Sequence, residues 1–64
     1  MAISIKAARV NAGLTQVEVA EQLNKAKNTI ASYEAYTTTP DITTAKAMAA
    51  LFGMSVDDIL WSQD

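Results

Sequence analysis

The run "GLTQVEVAEQLNKAKNTIASYE", Gly13 to Glu34, decides the fold, because it holds two short helix patterns separated by very little chain. Thr15 opens "TQVE", a Thr-x-x-Glu capping box in which the hydroxyl accepts from the Glu18 backbone amide and the carboxylate reaches back. Leu14 just before the box and Val19 inside it are placed to pack as a hydrophobic staple. Val19, Ala20 and Leu23 keep helical spacing, which predicts a second helix over Gln16 to Leu23. Asn24 then supplies a stop, being second to glycine in tolerating the left-handed conformation. The next helix starts within a few residues of that stop. Two short helices joined by so tight a turn make a helix-turn-helix.

On the N-terminal side of this run, Ser4 can cap a first helix that carries Ile5 and Ala8, and Gly13 ends it. On the other side, "AYTTTP" after Glu34 breaks the periodicity. Pro40 places the end of that loop just before Asp41, an N-cap for a fourth helix through Phe52, and Gly53 stops it. Ser55 and Asp58 in "SVDD" offer a capping pair for a last short helix with Val56, Ile59 and Leu60. No run alternates as a strand does, and there is no repeat, low-complexity tract or linker. The expectation is an all-α fold, one compact five-helix domain over residues 1–64.

The composition narrows the chemistry. The chain has 64 residues with no cysteine and no histidine, so disulfides, a zinc site and a Cys or His nucleophile are excluded. A chain this short has little room for a substrate pocket, which argues against an enzyme, and nothing calls for a cofactor, a metal or a small-molecule ligand. Half of the residues are apolar, but twelve of them are alanines, suited to close helix packing. The longest apolar run, "AMAALF" at Ala47 to Phe52, is far too short to span a bilayer. These features predict a soluble cytoplasmic protein with no membrane partner.

The net charge of −2 obscures an uneven distribution. Residues 1–33 carry Lys6, Arg9, Lys25 and Lys27 against Glu18 and Glu21, a net of +2. Residues 34–64 carry Lys46 against Glu34, Asp41, Asp57, Asp58 and Asp64, a net of −4. One half is basic and the other acidic.

With these elements in order, the chain from Arg9 to Leu60 resembles the Cro/C1-type helix-turn-helix family, the phage-repressor-like DNA-binding domains. The matching pieces are Ile5 and Arg9, "GLTQVEVAEQL" at Gly13 to Leu23, "TIASYE" at Thr29 to Glu34, Pro40, and "MAALFGMSVDDIL" at Met48 to Leu60. Each fragment alone is a generic helix signal; their order and spacing carry the resemblance. It implies a lambda-repressor-like fold in which the second helix crosses the DNA backbone and the third enters the major groove by its N-terminal residues.

The geometry of the third helix can be set against that implication. At about 100° per residue, Lys27, Asn28, Ala31, Ser32 and Ala35 fall within one sector of roughly 140°, and Ala26, Ile30 and Tyr33 lie on the other side. Lys27 can donate to guanine, Asn28 can pair with adenine, the Ala31 methyl can touch a thymine methyl, and Ser32 can donate or accept. For phosphate, the resemblance points to Gln16 with Thr15 beside it, at a helix N-terminus that itself favours anions. Lys25 in the turn and Thr37 and Thr38 after the third helix are further phosphate candidates. Arg9 and Glu34 match a family salt bridge that ties the first helix to the end of the third.

Three departures from the family stand out. Asn24 replaces the usual turn glycine, Ala26 stands where a Ser or Thr usually caps the third helix, and Tyr36 stands where glycine often follows the glutamate. Few cations face the DNA, which points to a homodimer on two half-sites, with Met54 and Trp61 as candidates for an apolar dimer patch. The expected function is sequence-specific binding of a double-stranded DNA operator by a transcriptional regulator acting as a repressor. It would be a stand-alone Cro-like regulator of a phage or mobile element, nucleoid-associated when bound, or a piece of a longer repressor. An antitoxin-type autorepressor is a variant within that class. The rival from another class is a protein-interaction module that kept the fold without binding DNA, favoured by the acidic pI of about 4.8.

Overall fold

Each α-helix in the computed structural model, which describes residues 1–63, is followed within two residues by one with positive φ. The elements in chain order are β1 (Ile3–Ser4), α1 (Ile5–Asn11), α2 (Gln16–Leu23), α3 (Lys27–Glu34), α4 (Ile42–Phe52), a 3-10 turn (Val56–Asp58) and β2 (Ile59–Leu60). Asp64, counted above in the acidic half, lies outside the described residues. The four stops are Gly13, Asn24, Tyr36 and Gly53, with φ of 75°, 56°, 59° and 70°. At each one, the stop residue donates to the carbonyl three residues back and its successor to the carbonyl five back. The pairs are Gly13 to Val10 and Leu14 to Arg9, Asn24 to Glu21 and Lys25 to Ala20, Tyr36 to Tyr33 and Thr37 to Ser32, and Gly53 to Ala50 and Met54 to Ala49. These are Schellman motifs, which satisfy helix-end carbonyls that would otherwise have no partner.

The starts follow local chemistry as well. Ser4 Oγ accepts from the Ala7 amide at 3.0 Å, the Thr15–Glu18 box is complete in both directions, and Asp41 Oδ1 accepts from the Thr44 amide at 2.7 Å. α3 differs: its cap residue is Ala26, and no side chain caps it. Its stability therefore depends on packing, since a helix of eight residues is marginal by itself.

That packing is a core of Ile5, Ala8, Val19, Ala20, Ile30, Tyr33, Met48, Ala49, Phe52 and Ile59. α2 and α3 lie against each other, with α1 and α4 closing the other sides. Ala8, Ala20 and Ala49 keep the helices close where they meet. Leu14 and Leu23 are half-buried against this core, so the staple residue Leu14 and buried Val19 belong to the same cluster. Pro40 is buried ahead of α4.

The expected fifth helix is corrected. Val56–Asp58 forms a single 3-10 turn, in which Ser55 Oγ accepts from the Asp57 amide and the Asp58 amide donates to the Ser55 carbonyl. The chain then extends as β2 and pairs in parallel with β1, Ile3 opposite Ile59 and Ser4 opposite Leu60. Extension buries Ile59 in the core and leaves Leu60 exposed, while the ladder gives partners to backbone groups at both chain ends. Among the described residues the fold is therefore four α-helices with a two-stranded clasp. The strands also overturn the expectation of none, for two residues are too few to show alternation.

A Cβ at Gly53 would meet open space, so Gly53→Ala introduces backbone strain without a clash and should destabilise by about 1–2 kcal/mol, read as a lower urea midpoint. The Thr44 amide beside Asp41, with the Thr44 hydroxyl and then Lys25, lowers the Asp41 carboxyl below its ordinary 3.8. A depressed carboxyl stabilises the fold above its unfolded pKa and loses that contribution as pH falls through the folded value. Asp41→Asn, which keeps an acceptor without titrating, should therefore gain on the parent in melting temperature as pH falls from about 5 to about 3.

Candidate nucleic-acid interface

The orientation of α3 is set at its last residue. The Glu34 carboxylate accepts from Arg9 Nε at 2.5 Å, from Arg9 Nη2 at 3.3 Å and from Gln16 Nε2 at 3.0 Å. Arg9 Nη1 donates in turn to the Leu14 carbonyl at 2.8 Å. One carboxylate thus joins α1, the start of α2 and the end of α3, and the arginine also pins the turn between α1 and α2. The Arg9 and Glu34 side chains are 11% and 6% exposed, so the pair is largely removed from water. The sequence placed Arg9 and Glu34 together; it did not place Gln16 with them.

The outer face of α3 carries Lys27, Asn28 and Ala35 exposed, with Ala31 and Ser32 half-buried behind them. Ile30 and Tyr33 are in the core. Ala26 departs from the helical wheel, which puts it inward: it is exposed, because as cap residue it is extended (φ −77°, ψ 149°) and out of helical phase. The face is therefore polar at its leading end and shallow along its length. A surface of that shape can approach base edges closely, with donors and acceptors at the front and methyl groups behind.

The remaining candidates divide between free and engaged groups. Thr15 is exposed, with its hydroxyl in the capping box. Gln16 is half-buried, its side-chain amide turned to Glu34, so what it presents outward at the start of α2 is its backbone amide. The box satisfies the amides of Thr15 and Glu18, and those of Gln16 and Val17 have no acceptor within the helix. Lys25 is exposed in the turn and close enough to Asp41 to lower its pKa. Thr37 and Thr38 are exposed beyond α3, and Lys6 is exposed on α1. Met54 and Trp61 are half-buried against the core, and Trp61 Nε1 donates to the Val56 carbonyl at 2.9 Å. Both spend much of their apolar surface inside their own domain. Leu60, 47% exposed, is the large apolar side chain left open in that region.

One residue with a role at the exit of α3 went unassigned in the sequence. Tyr36 has positive φ, and its hydroxyl donates to the Leu60 carbonyl at 2.9 Å and accepts from the Ile5 amide at 3.4 Å. The available signal was the tyrosine itself, standing at a position that suits glycine.

Among proteins already described, a helix-turn-helix family model matches residues 5–59. The HTH-type transcriptional regulator ImmR of Bacillus subtilis (strain 168) is 39% identical over 56 residues, which cover 88% of this chain and 44% of that protein. The chain thus spans less than half the length of the relative it matches. No solved structure matches it. No helix among the described residues is long and apolar enough to cross a membrane.

Glu34→Ala would leave the Arg9 guanidinium largely buried without its counter-charge. The expected loss is about 3–5 kcal/mol in denaturant unfolding; an unchanged midpoint would mean that the bridge contributes nothing to the fold.

Proposed function

The chain belongs to the helix-turn-helix family, and from that premise we propose that it is a sequence-specific double-stranded DNA-binding domain that regulates transcription. The observation that carries this reading is α3 itself, an uncapped helix whose exposed leading end bears Lys27 and Asn28. Placed in the major groove, Lys27 donates to guanine O6 and N7, Asn28 pairs with adenine N6 and N7, and Ala31 and Ser32 meet the bases behind them. Thr15 and the outward amide of Gln16 meet phosphate at the start of α2. Lys25, Thr37 and Thr38 reach the backbone on either side of α3.

The finer reading is a repressor that occupies an operator as a dimer. Lys6, Lys25 and Lys27 are a small set of cations for one subunit, and a second subunit doubles the contacts on half-sites about one helical turn apart. The C-terminal segment with Met54, Leu60 and Trp61 is the proposed pairing surface. The relative ImmR is by name a transcriptional regulator, which supports the regulatory role. The acidic balance, a net charge of −2, favours the rival reading of an interaction module that binds no DNA.

Selection of bound sites from random duplex DNA, followed by mobility shifts, separates these readings. Lys27→Ala should change the preferred sequence. Lys25→Ala should weaken all sequences alike and lower the salt slope by about one per subunit. No binding to any duplex at low salt would favour the interaction module.

A further inference from the structure

Tyr36 occupies a helix stop that glycine would fill without strain. An aromatic residue with φ of 59° is sterically disfavoured, so something must hold it there. Its hydroxyl makes two bonds to residues 24 and 31 positions away, to the Leu60 carbonyl in β2 and from the Ile5 amide at the start of α1. The Ile5 amide is one of the first-turn donors that α1 cannot satisfy internally, and the Ser4 hydroxyl is already taken by Ala7. The ring is half-buried against the core. Directly after Tyr36, the Thr37 amide donates to the Ser32 carbonyl at 3.0 Å and the Thr38 amide to the same oxygen at 3.5 Å. Both bonds depend on the turn that the positive φ of Tyr36 creates.

We propose that the Tyr36 hydroxyl is a positioning group that anchors the loop Thr37–Thr39 to α1 and β2 and presents Thr37 and Thr38 at a fixed place beside α3. Its bearing on DNA rests on the function proposed above: if Thr37 and Thr38 meet phosphate, the clasp of β1 and β2 determines how well they reach it. Tyr36 touches no base in this arrangement and acts through the loop. A loosened loop lowers affinity without changing sequence preference.

Two variants separate the hydroxyl from the backbone. Tyr36→Phe keeps ring and strain and removes the oxygen; Tyr36→Gly removes strain, ring and oxygen together. Amide exchange measured by NMR on the whole chain without DNA should rise about threefold to tenfold at Thr37 and Thr38 in both variants, with the core amides of Val19 and Ile30 unchanged. Affinity for the selected duplex should fall by a similar factor across all sequences. Thr38→Ala should weaken binding in the parent and add little in the Tyr36→Phe background, a coupling that a purely structural tyrosine would not produce. Parent-like exchange in Tyr36→Phe would overturn the proposal. So would a Tyr36→Gly variant that protects the loop as the parent does, since backbone conformation alone would then suffice. If the parent binds no duplex at all, the DNA reading fails, and the exchange measurements still decide the anchoring.

Discussion

The Glu34 carboxylate is where the architecture converges. α3 has no N-terminal cap, few apolar residues and eight residues in all, so its own propensity does little to hold it. Its direction comes from Ile30 and Tyr33 in the core and from Arg9 and Gln16 gripping its last residue. An arginine suits this place because its planar fork serves the carboxylate and the Leu14 carbonyl at once, which a lysine ammonium at the end of a flexible stem does less well. Burying such a pair has a solvation cost, and three donors on one carboxylate offset it. What the arrangement secures is geometry: the exposed end of α3 is aimed by contacts made at its opposite end.

The same pairing bears on charge. Glu34 belongs to the acidic half of the sequence, yet its carboxylate is matched by Arg9 and largely withdrawn from solvent. The exposed Asp57 and Asp58 lie on the 3-10 turn, while Lys25 and Lys27 flank the start of α3. A whole-chain net charge averages over these places and so says little about the surface beside α3.

Much of the fold was legible because helix boundaries are local chemistry. Ser4, the Thr15–Glu18 box and Asp41 act as the caps their sequence contexts suggest, and Gly13, Asn24 and Gly53 are the stops. The illegible parts are those that depend on distant partners. β1 and β2 are two residues each and exist through pairing with each other. Tyr36 stands at a position that suits glycine, but nothing local holds a tyrosine in the left-handed conformation; its hydroxyl is tied to Ile5 and Leu60. Gln16 reads as an outward residue by position, and its engagement with Glu34 is visible only when α2 and α3 are set side by side. Along α3, Ile30 and Tyr33 sit inward and Lys27 and Asn28 outward as periodicity indicates. Ala26 fails that test because the helix has not yet begun.

The shared form of the helix stops makes the chain sensitive to length more than to identity. From the capping box at Thr15 to the left-handed residue at Tyr36, α2 begins on a fixed cap and both helices end on a fixed stop. A single residue inserted within α3, between Asn28 and Glu34, would rotate Lys27 and Asn28 by about 100° about the helix axis relative to the grip on Glu34. Lys27 and Asn28 would then turn toward the flank, although every side chain remained in the chain. By contrast, a change in number at exposed Thr39, between the Thr38 amide bonded to Ser32 and buried Pro40, lies beyond the α3 stop and its bonds. Around α3, two kinds of variation spare its aim: substitutions on its outer face, which alter what that face offers, and length changes beyond its stop.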